Sequence, residues 1–382
     1  MLRLLVRTKA RPSEYVVRIG GGILPTIGKT ARVALGKQSR RVALISNQKV
    51  FSLYGPPVIK SLQSNGLQTS HWLMGDGERH KSVRSLEKAV EYLNKNGLER
   101  GDGVIALGGG VVGDLAGFAA AIYLRGLPVI HIPTTLLSQI DSSIGGKAGV
   151  NLPGGKNLVG SFHQPHAVLI DIKTLVTLPA REMVAGWCEG IKQGAVGSEK
   201  LFKQTTDFLQ TSRGSQRLVS SQLEKLIAAH CAFRASIVAA DEREDVTRSD
   251  RRSRRILNFG HTIAHALESV TGYRRFRHGE AVGHGILVAG ALSKNLGLLD
   301  HSELELLIQA VSLCGPLPAA NDLDITAIVN AIKQDKKRSG GQVQWVLLER
   351  IGGPVIVDGN EISSKLLKQS LCEGLVNIPG RR

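Results

Sequence analysis

Residues 103–124 read GVIALGGGVVGDLAGFAAAIYL, and the way they divide decides the fold. Gly103–Leu107 is an apolar run of strand length. Gly108 to Asp114 (GGGVVGD) follows as a turn, and Gly113 to Leu124 reads as a small-residue helix. Glycines in such a turn let backbone amides approach a pyrophosphate at a helix N-terminus. The spacing is not GxGxxG, so a tight strand–helix turn without a ligand fits the same letters. The glycines and Asp114 also break the longest apolar run, Val104 to Leu124, which excludes a membrane span there.

Working outward, Tyr15–Ile19, Arg41–Ser46, Thr69–Leu73 and Val129–Ile132 are short β-rich runs. Between them, Lys81 to Asn96 carries Val83, Leu86, Val90 and Leu93 at a helical period and is stopped by Gly97. This β-α-β rhythm implies a parallel sheet. After about Ala167–Ile172 strand signals almost vanish. Arg181–Val196, Glu199–Gln210, Gln216–Ala240, His261–Val270, Ala281–Leu296 and Ser302–Cys314 read as helices, with Val343–Leu348 a late strand. The expectation is an α/β N-terminal domain with a parallel, Rossmann-like sheet (1–165) and a mainly α-helical C-terminal domain (166–382). The cleft between them is the default ligand site.

The chain of 382 residues carries a net charge of +17 with only 4% aromatics. Nucleic acid, a small anionic substrate and simple solubility all suit such a charge. Stacking aromatics are missing, which argues against nucleic acid. Cys188, Cys231, Cys314 and Cys372 are widely spaced without a CxxC pair, so reduced thiols in a cytoplasmic enzyme are expected. The N-terminus lacks the apolar core of a signal peptide.

Asn258 to Glu280 reads NFGHTIAHALESVTGYRRFRHGE. His261 and His265 stand four apart and share a helical face. Thr271-Gly272 breaks that helix, and His278 precedes the next. Imidazoles therefore converge from one helix and the start of another, and a catalytic zinc wants about three protein ligands with one position open. HxxxH without the glutamate of a metalloprotease is equally a pair of ordinary helix histidines. Glu189 and Lys192, three apart on an apolar helix, either neutralise each other or supply the carboxylate this set lacks. Ile132 to Asn157 gathers Thr134, Thr135, Asp141, Lys147, Lys156 and Asn157 among glycines, with two GGK units that present lysines to anions from Gly-rich turns. It is not a Walker A loop. Asp76 to Lys81 (DGERHK) offers an acid and a base before a helix, or a cap at Asp76. Arg248–Arg255 (RSDRRSRR) reads as a solvated basic loop.

Together the blocks GGGVVGDLAGFAAAIYLRG, PTTLLSQIDSSIGGKAGVNLPGGKN, LPAREMVAGWCEGIK, ADERE, LNFGHTIAHALE and RHGEAV resemble the 3-dehydroquinate synthase family of sugar-phosphate cyclases. The resemblance runs from about Arg41 to Gly352. It implies a shikimate-pathway lyase that converts 3-deoxy-D-arabino-heptulosonate 7-phosphate to 3-dehydroquinate and phosphate. The steps are transient oxidation, β-elimination, reduction, ring opening and aldol closure, with recycled NAD and one zinc or cobalt ion. It implies metal ligands Glu189, His261 and His278, and proton transfer at His265 and Glu244. Substrate contacts fall to Arg125, Asp141, Lys147, Asn157, Arg254, Asn258 and one of Lys336 and Lys337, with Lys192 and Arg234 completing the catalytic group. NAD is expected against Asn47, Asp76, Glu78, Lys81, Gly109, Gly110, Val111, Val112, Gly113, Asp114, Thr134, Thr135, Lys147, Lys156, Thr174, Thr177 and Leu178.

Three departures from the family pattern stand out. Arg234 occupies a position usually held by lysine. Asn47 stands where many relatives have Asp. The segment between Glu244 and Arg254 is long, and a one-residue offset there would exchange Arg254 for Arg255. The resemblance also implies a homodimer. The alternatives are an inosose or valiolone cyclase, a metal-dependent polyol dehydrogenase, and, from another class, a basic nucleic-acid-binding protein or inactive scaffold.

Overall fold

The computed structural model describes residues 14–212, 220–338 and 344–376. Its first half alternates β1 (Val16–Gly20), α1 (Ile27–Leu35), β2 (Arg41–Asn47), α2 (Gln48–Gln63), β3 (Gln68–Met74), α3 (Val83–Lys95), β4 (Gly103–Gly108), α4 (Gly110–Ile122) and β5 (Val129–Pro133). A hairpin, β6 (Lys147–Leu152) and β7 (Gly155–Phe162), precedes β8 (Ala167–Asp171). Six strands form one sheet in the order β1-β8-β5-β4-β2-β3, and every pairing in it is parallel.

The strand residues alternate between two apolar layers, as a period of two requires. Val42, Leu44, Ile105 and Leu107 pack with α1 and α2, whereas Ala43, Ile45, Val104 and Ala106 pack with α3 and α4. Both faces are covered, which explains why these strands read as continuous apolar runs. The expected division at residue 165 falls just ahead of β8. That strand lies inside the sheet, between β1 and β5. Its Leu169 joins the α1–α2 layer, while Val168 and Ile170 join the large helical core.

The second half consists of α5 (Ala180–Gly197), α6 (Glu199–Ser212), α7 (Ser221–Ala240), α8 (His261–Val270), α9 (His278–Asn295), α10 (His301–Cys314), α11 (Ile325–Arg338), the antiparallel pair β9 (Gln344–Arg350) and β10 (Gly353–Asp358), and α12 (Ser364–Val376). α5 and α9 are its buried centre. Several expectations need correction. The Gly-rich stretch around the two GGK units is an antiparallel hairpin. α4 begins at Gly110, three residues earlier than its apolar pattern suggested. Ser82, not Asp76, caps α3 by accepting from Ser85 N. α1, α2, β10, α11 and α12 carried no recognised signal. Residues 216–219 and 343, parts of expected elements, lie outside the described residues.

Candidate active site

His261 and His278 each open a helix. Gly260, with φ of 78°, turns the chain into α8 so that His261 takes its first position. A Cβ on Gly285 of α9 would collide with the Gly260 carbonyl, so glycine is what lets α9 cross the start of α8 this closely. At the start of α9, Glu280 accepts from Arg277 N at 2.7 Å and pairs with Arg181 at 2.6 Å. Glu189 enters from the middle of α5. Its Oε1 lies 3.7 Å from His261 Nε2 and 3.6 Å from His278 Nε2. Ligand atoms on bonds of about 2.1 Å at a tetrahedral angle stand roughly 3.4 Å apart, so this carboxylate and two imidazoles fit one small divalent ion with a position left open.

The local charges suit that set. Burial, then Lys192 and the neighbouring imidazoles, holds His261 well below the ordinary histidine range, in the neutral form a metal needs. Burial opposes protonation of His278, but Glu268 and Glu189 outweigh it and raise its pKa. Lys192 Nζ sits 2.6 Å from Glu189 Oε2 with both side chains buried, so the mutual ion pair and the ligand geometry coexist. His265, one turn beyond His261, is exposed, with its ring centroid 5.6 Å from that of His261 and 5.9 Å from that of His278.

Beside the histidines lies a basic basin. Asp241 ties the ends of the long basic loop together by accepting from Asp245 N and Arg254 N, each at 2.8 Å. The guanidinium that turns inward is Arg254's, whereas Arg255 Nη1 donates to Val246 O at 2.9 Å. Arg254 Nη1 donates to Glu242 O at 2.7 Å, but its buried Nε and Nη2 have no hydrogen-bond partner. Burial, aided by Arg234, lowers its pKa to about 10. Two unpaired buried donors on one planar fork are a receptor for a carboxylate or phosphate. Lys147 on β6 pairs with Glu244, which accepts from Asn258 Nδ2 at 3.0 Å. Burial would raise the Glu244 carboxyl, but Lys147 and Asn258 together hold it below its ordinary value.

Asp141 sits on a single wide helical turn, Ser138–Ser142, after β5. Its Oδ1 accepts from Arg234 Nη1 at 2.5 Å and Gln193 Nε2 at 3.0 Å. Gln193 is in turn bonded to the buried His230 at 3.0 Å, and His230 to Thr205 at 3.1 Å.

The residues expected against NAD gather near the carboxyl ends of the strands. The chain leaves β2 toward β3 on one side and returns to β4 on the other, so the strand order reverses between β2 and β4. That switch point is where open α/β sheets hold ligands. Asn47 ends β2, caps α2 and donates to Asp76 at 3.1 Å. Gly109 and Gly110 link β4 to α4, against Thr135 and Ser142. Val111, Val112, Gly113 and Asp114 form the first turns of α4, and Thr134 N donates to Gly108 O at 3.0 Å. Burial raises the Asp114 carboxyl although Lys81 is bonded to it. Lys81 also donates to Asn157 Oδ1 at 2.5 Å, and Glu78 accepts from Asn151 at 2.7 Å, which ties the hairpin to this edge. Tyr54 hydroxyl donates to Thr174 O at 3.2 Å and stands 2.5 Å from Thr177 Oγ1, with Leu178 next along the chain.

One expected residue is not brought in. Arg125 is exposed in a left-handed turn after α4 and, among the described residues, makes no ion pair with the basin. Lys336 and Lys337 lie in α11, and their side chains fall outside the described residues. Conversely, Gln193 and Glu268 were missed. Glu268 lies seven residues after His261, so helical same-face arithmetic would have found it. Gln193 had no signal apart from its place beside Lys192.

Family profiles for the N-terminal and C-terminal parts of 3-dehydroquinate synthase match residues 71–185 and 186–338. The 3-dehydroquinate synthase of Nostoc punctiforme is 41% identical over 374 residues, covering 96% of this chain and 98% of that one. The chain belongs to the 3-dehydroquinate synthase family. Among solved structures, the 2-epi-5-epi-valiolone synthase of Streptomyces hygroscopicus subsp. jinggangensis, with NAD+ and Zn2+ bound, superposes with a TM-score of 0.84. It is 25% identical and covers 96% of this chain and 98% of its own. A 2-deoxy-scyllo-inosose synthase complexed with carbaglucose-6-phosphate, NAD+ and Co2+ gives a TM-score of 0.79 at 24% identity, covering 94% and 96%. The parallel sheet followed by a helical second half is thus the fold of both these cyclases.

Proposed function

We propose that this chain is the enzyme that converts 3-deoxy-D-arabino-heptulosonate 7-phosphate to 3-dehydroquinate and phosphate, in the shikimate route to aromatic amino acids. It is an NAD- and metal-dependent carbon–oxygen lyase. The observation that carries the substrate assignment is Arg254, a buried guanidinium with two unpaired donors near the Lys147–Glu244 pair. A bidentate donor of this kind holds a substrate carboxylate in one orientation.

Glu189, His261 and His278 would hold the zinc or cobalt ion, and the switch point between β2 and β4 would hold NAD. When bound, NAD supplies a reversible hydride acceptor and the metal ion a Lewis acid for the substrate's secondary hydroxyl. The chain's own side chains do the rest. Asp141, held ionised by Arg234 and Gln193 against the cost of burial, accepts hydrogen bonds from substrate hydroxyls. Glu244 is ionised near neutral pH and serves as a proton acceptor, with Lys147 and Asn258 fixing its direction. His265 is exposed on the same face as His261, and an imidazole suits proton transfer near neutrality. Lys147, Asn157 and a lysine of the Lys336-Lys337 pair answer the phosphate charge.

The test is phosphate release from the heptulosonate phosphate with NAD, with and without chelator. Chelator-sensitive release without net NADH is expected. Preferential turnover of sedoheptulose 7-phosphate would instead make the chain a valiolone-type cyclase, and NADH accumulating with glycerol a polyol dehydrogenase. The enzyme acts in the cytoplasm as a homodimer; sedimentation at the monomer mass would remove the dimer. Among the described residues no helix is long and apolar enough to cross a membrane.

A further inference from the structure

Glu268 ends in a buried carboxylate on the last turn of α8, with its side chain 2% exposed. Burying such a charge is costly unless each oxygen is paired. Both are. Oε2 lies 3.3 Å from His278 Nδ1, and Oε1 accepts from Lys156 Nζ at 2.8 Å. The other face of the same imidazole, Nε2, stands 3.6 Å from Glu189 Oε1. A carboxylate on Nδ1 keeps the proton on that nitrogen and leaves the Nε2 lone pair directed at the metal position. Lys156 belongs to β7 of the hairpin, far from α8 in sequence, and its ammonium also lies 4.9 Å from the Tyr273 ring centroid. Tyr273 N in turn donates to the Glu268 carbonyl at 2.7 Å, which fixes the end of α8 beneath that ring.

We infer that Glu268 is a positioning residue for the metal centre, and that Lys156 acts through it, so that the seating of the hairpin sets the affinity of the metal site. The inference rests on the proposed metal set of Glu189, His261 and His278. It adds a directed chain across the molecule: hairpin ammonium, buried carboxylate, imidazole, metal position. The geometry also offers His265, Glu268 and His278 as a different trio of donors. In that arrangement Glu268 would be a ligand itself, but its Oε1 is already engaged by Lys156 and its Oε2 by His278.

The experiment is titration of metal-free full-length protein with Co2+ alone, in competition with a chromophoric chelator, followed by the visible cobalt spectrum. No NAD or substrate is present. Loss of a partner behind a metal-ligating histidine typically costs about 10–100-fold in affinity. Glu268→Ala is expected to weaken Co2+ binding by that factor and to shift the cobalt bands. Lys156→Met should weaken it less, Lys156→Arg should restore it, and the double variant Glu268→Ala/Lys156→Met should be no worse than Glu268→Ala alone. Wild-type affinity and an unshifted spectrum in Glu268→Ala would overturn the inference while leaving the metal set intact. Additive losses in the double variant would remove Lys156 from the chain. Unchanged binding in Glu189→Ala, with none in Glu268→Ala, would make Glu268 a ligand and overturn both readings. Should wild-type protein take up no Co2+, the metal set itself falls and this inference with it.

Discussion

Arg234 Nη1 stands 2.5 Å from Asp141 Oδ1, while its Nε donates to Ile144 O at 3.0 Å. One guanidinium from α7 thus fastens two points of the segment that leads into Lys147. Its second bond is to a backbone carbonyl, which a lysine ammonium committed to Asp141 is poorly placed to make as well. The departure from the family's usual lysine therefore adds a backbone tether.

Arg234→Met should leave Asp141 buried without its closest cation and destabilise the fold by about 3 kcal/mol, the low end for a broken buried pair because Gln193 remains bonded to the carboxylate. Arg234→Lys keeps the charge and forfeits mainly the Ile144 bond, about 1 kcal/mol. Urea unfolding of both variants checks this. Equal stabilities for the two would show that charge is not what holds the turn.

Gly145 has φ of 98°, and a Cβ there would lie 2.6 Å from Val238 Cγ2 and 2.7 Å from Arg254 Nη2. Gly145→Ala should therefore strain the backbone and displace the guanidinium, costing on the order of 1–3 kcal/mol. The expected kinetic signature is a raised KM for the heptulosonate phosphate that exceeds any fall in kcat. An unchanged KM would mean that Arg254 does not contact substrate.

His131 and His230 are buried, and burial pulls each down to about 4 from an ordinary value of 6.5. Their folded pKa lies below the unfolded one, so the neutral form favours folding. That contribution is complete above about pH 6.5 and is lost as pH falls toward 4. The unfolded chain binds more protons across this window, and two such residues lower stability by up to about 2.7 kcal/mol per pH unit. Unfolding free energies measured from pH 7 to 5 should show this slope. His230→Gln should remove about one proton from it, and an unaltered slope would show that His230 titrates normally.

Glu189→Ala should abolish stoichiometric metal binding and chelator-sensitive turnover. It also strips Lys192, whose side chain is 2% exposed, of the carboxylate 2.6 Å away. The metal-free variant should therefore lose roughly 3–5 kcal/mol against metal-free wild type, and Glu189→Gln should lose less. Denaturation of chelator-treated proteins separates this structural loss from the metal effect. Metal retained at wild-type affinity in Glu189→Ala would take Glu189 out of the ligand set.

Sequence alone determined the parallel sheet, because strands alternate with helices along the first half and are apolar on both faces, as Val104–Leu107 is and, apart from His131, Val129–Ile132. It placed His261 and His265 on one helical face for the same local reason, periodicity. It was silent on α11 and α12, whose apolar patterns are diluted by polar and charged residues (KQDKKR, SKLLKQS). It took the two GGK units for Gly-rich turns, because the glycines hid a hairpin that packs on α4. Only tertiary structure could bring Glu189 to His261 and His278, or Lys156 to Glu268 across 112 positions of chain. The choice of Arg254 over Arg255 likewise came from Asp241, which closes a loop whose length the letters give but whose path they do not. Periodicity is a local property that one element must satisfy by itself. Convergence of charges depends on where glycines allow helices to cross, and that is settled only when the whole core packs.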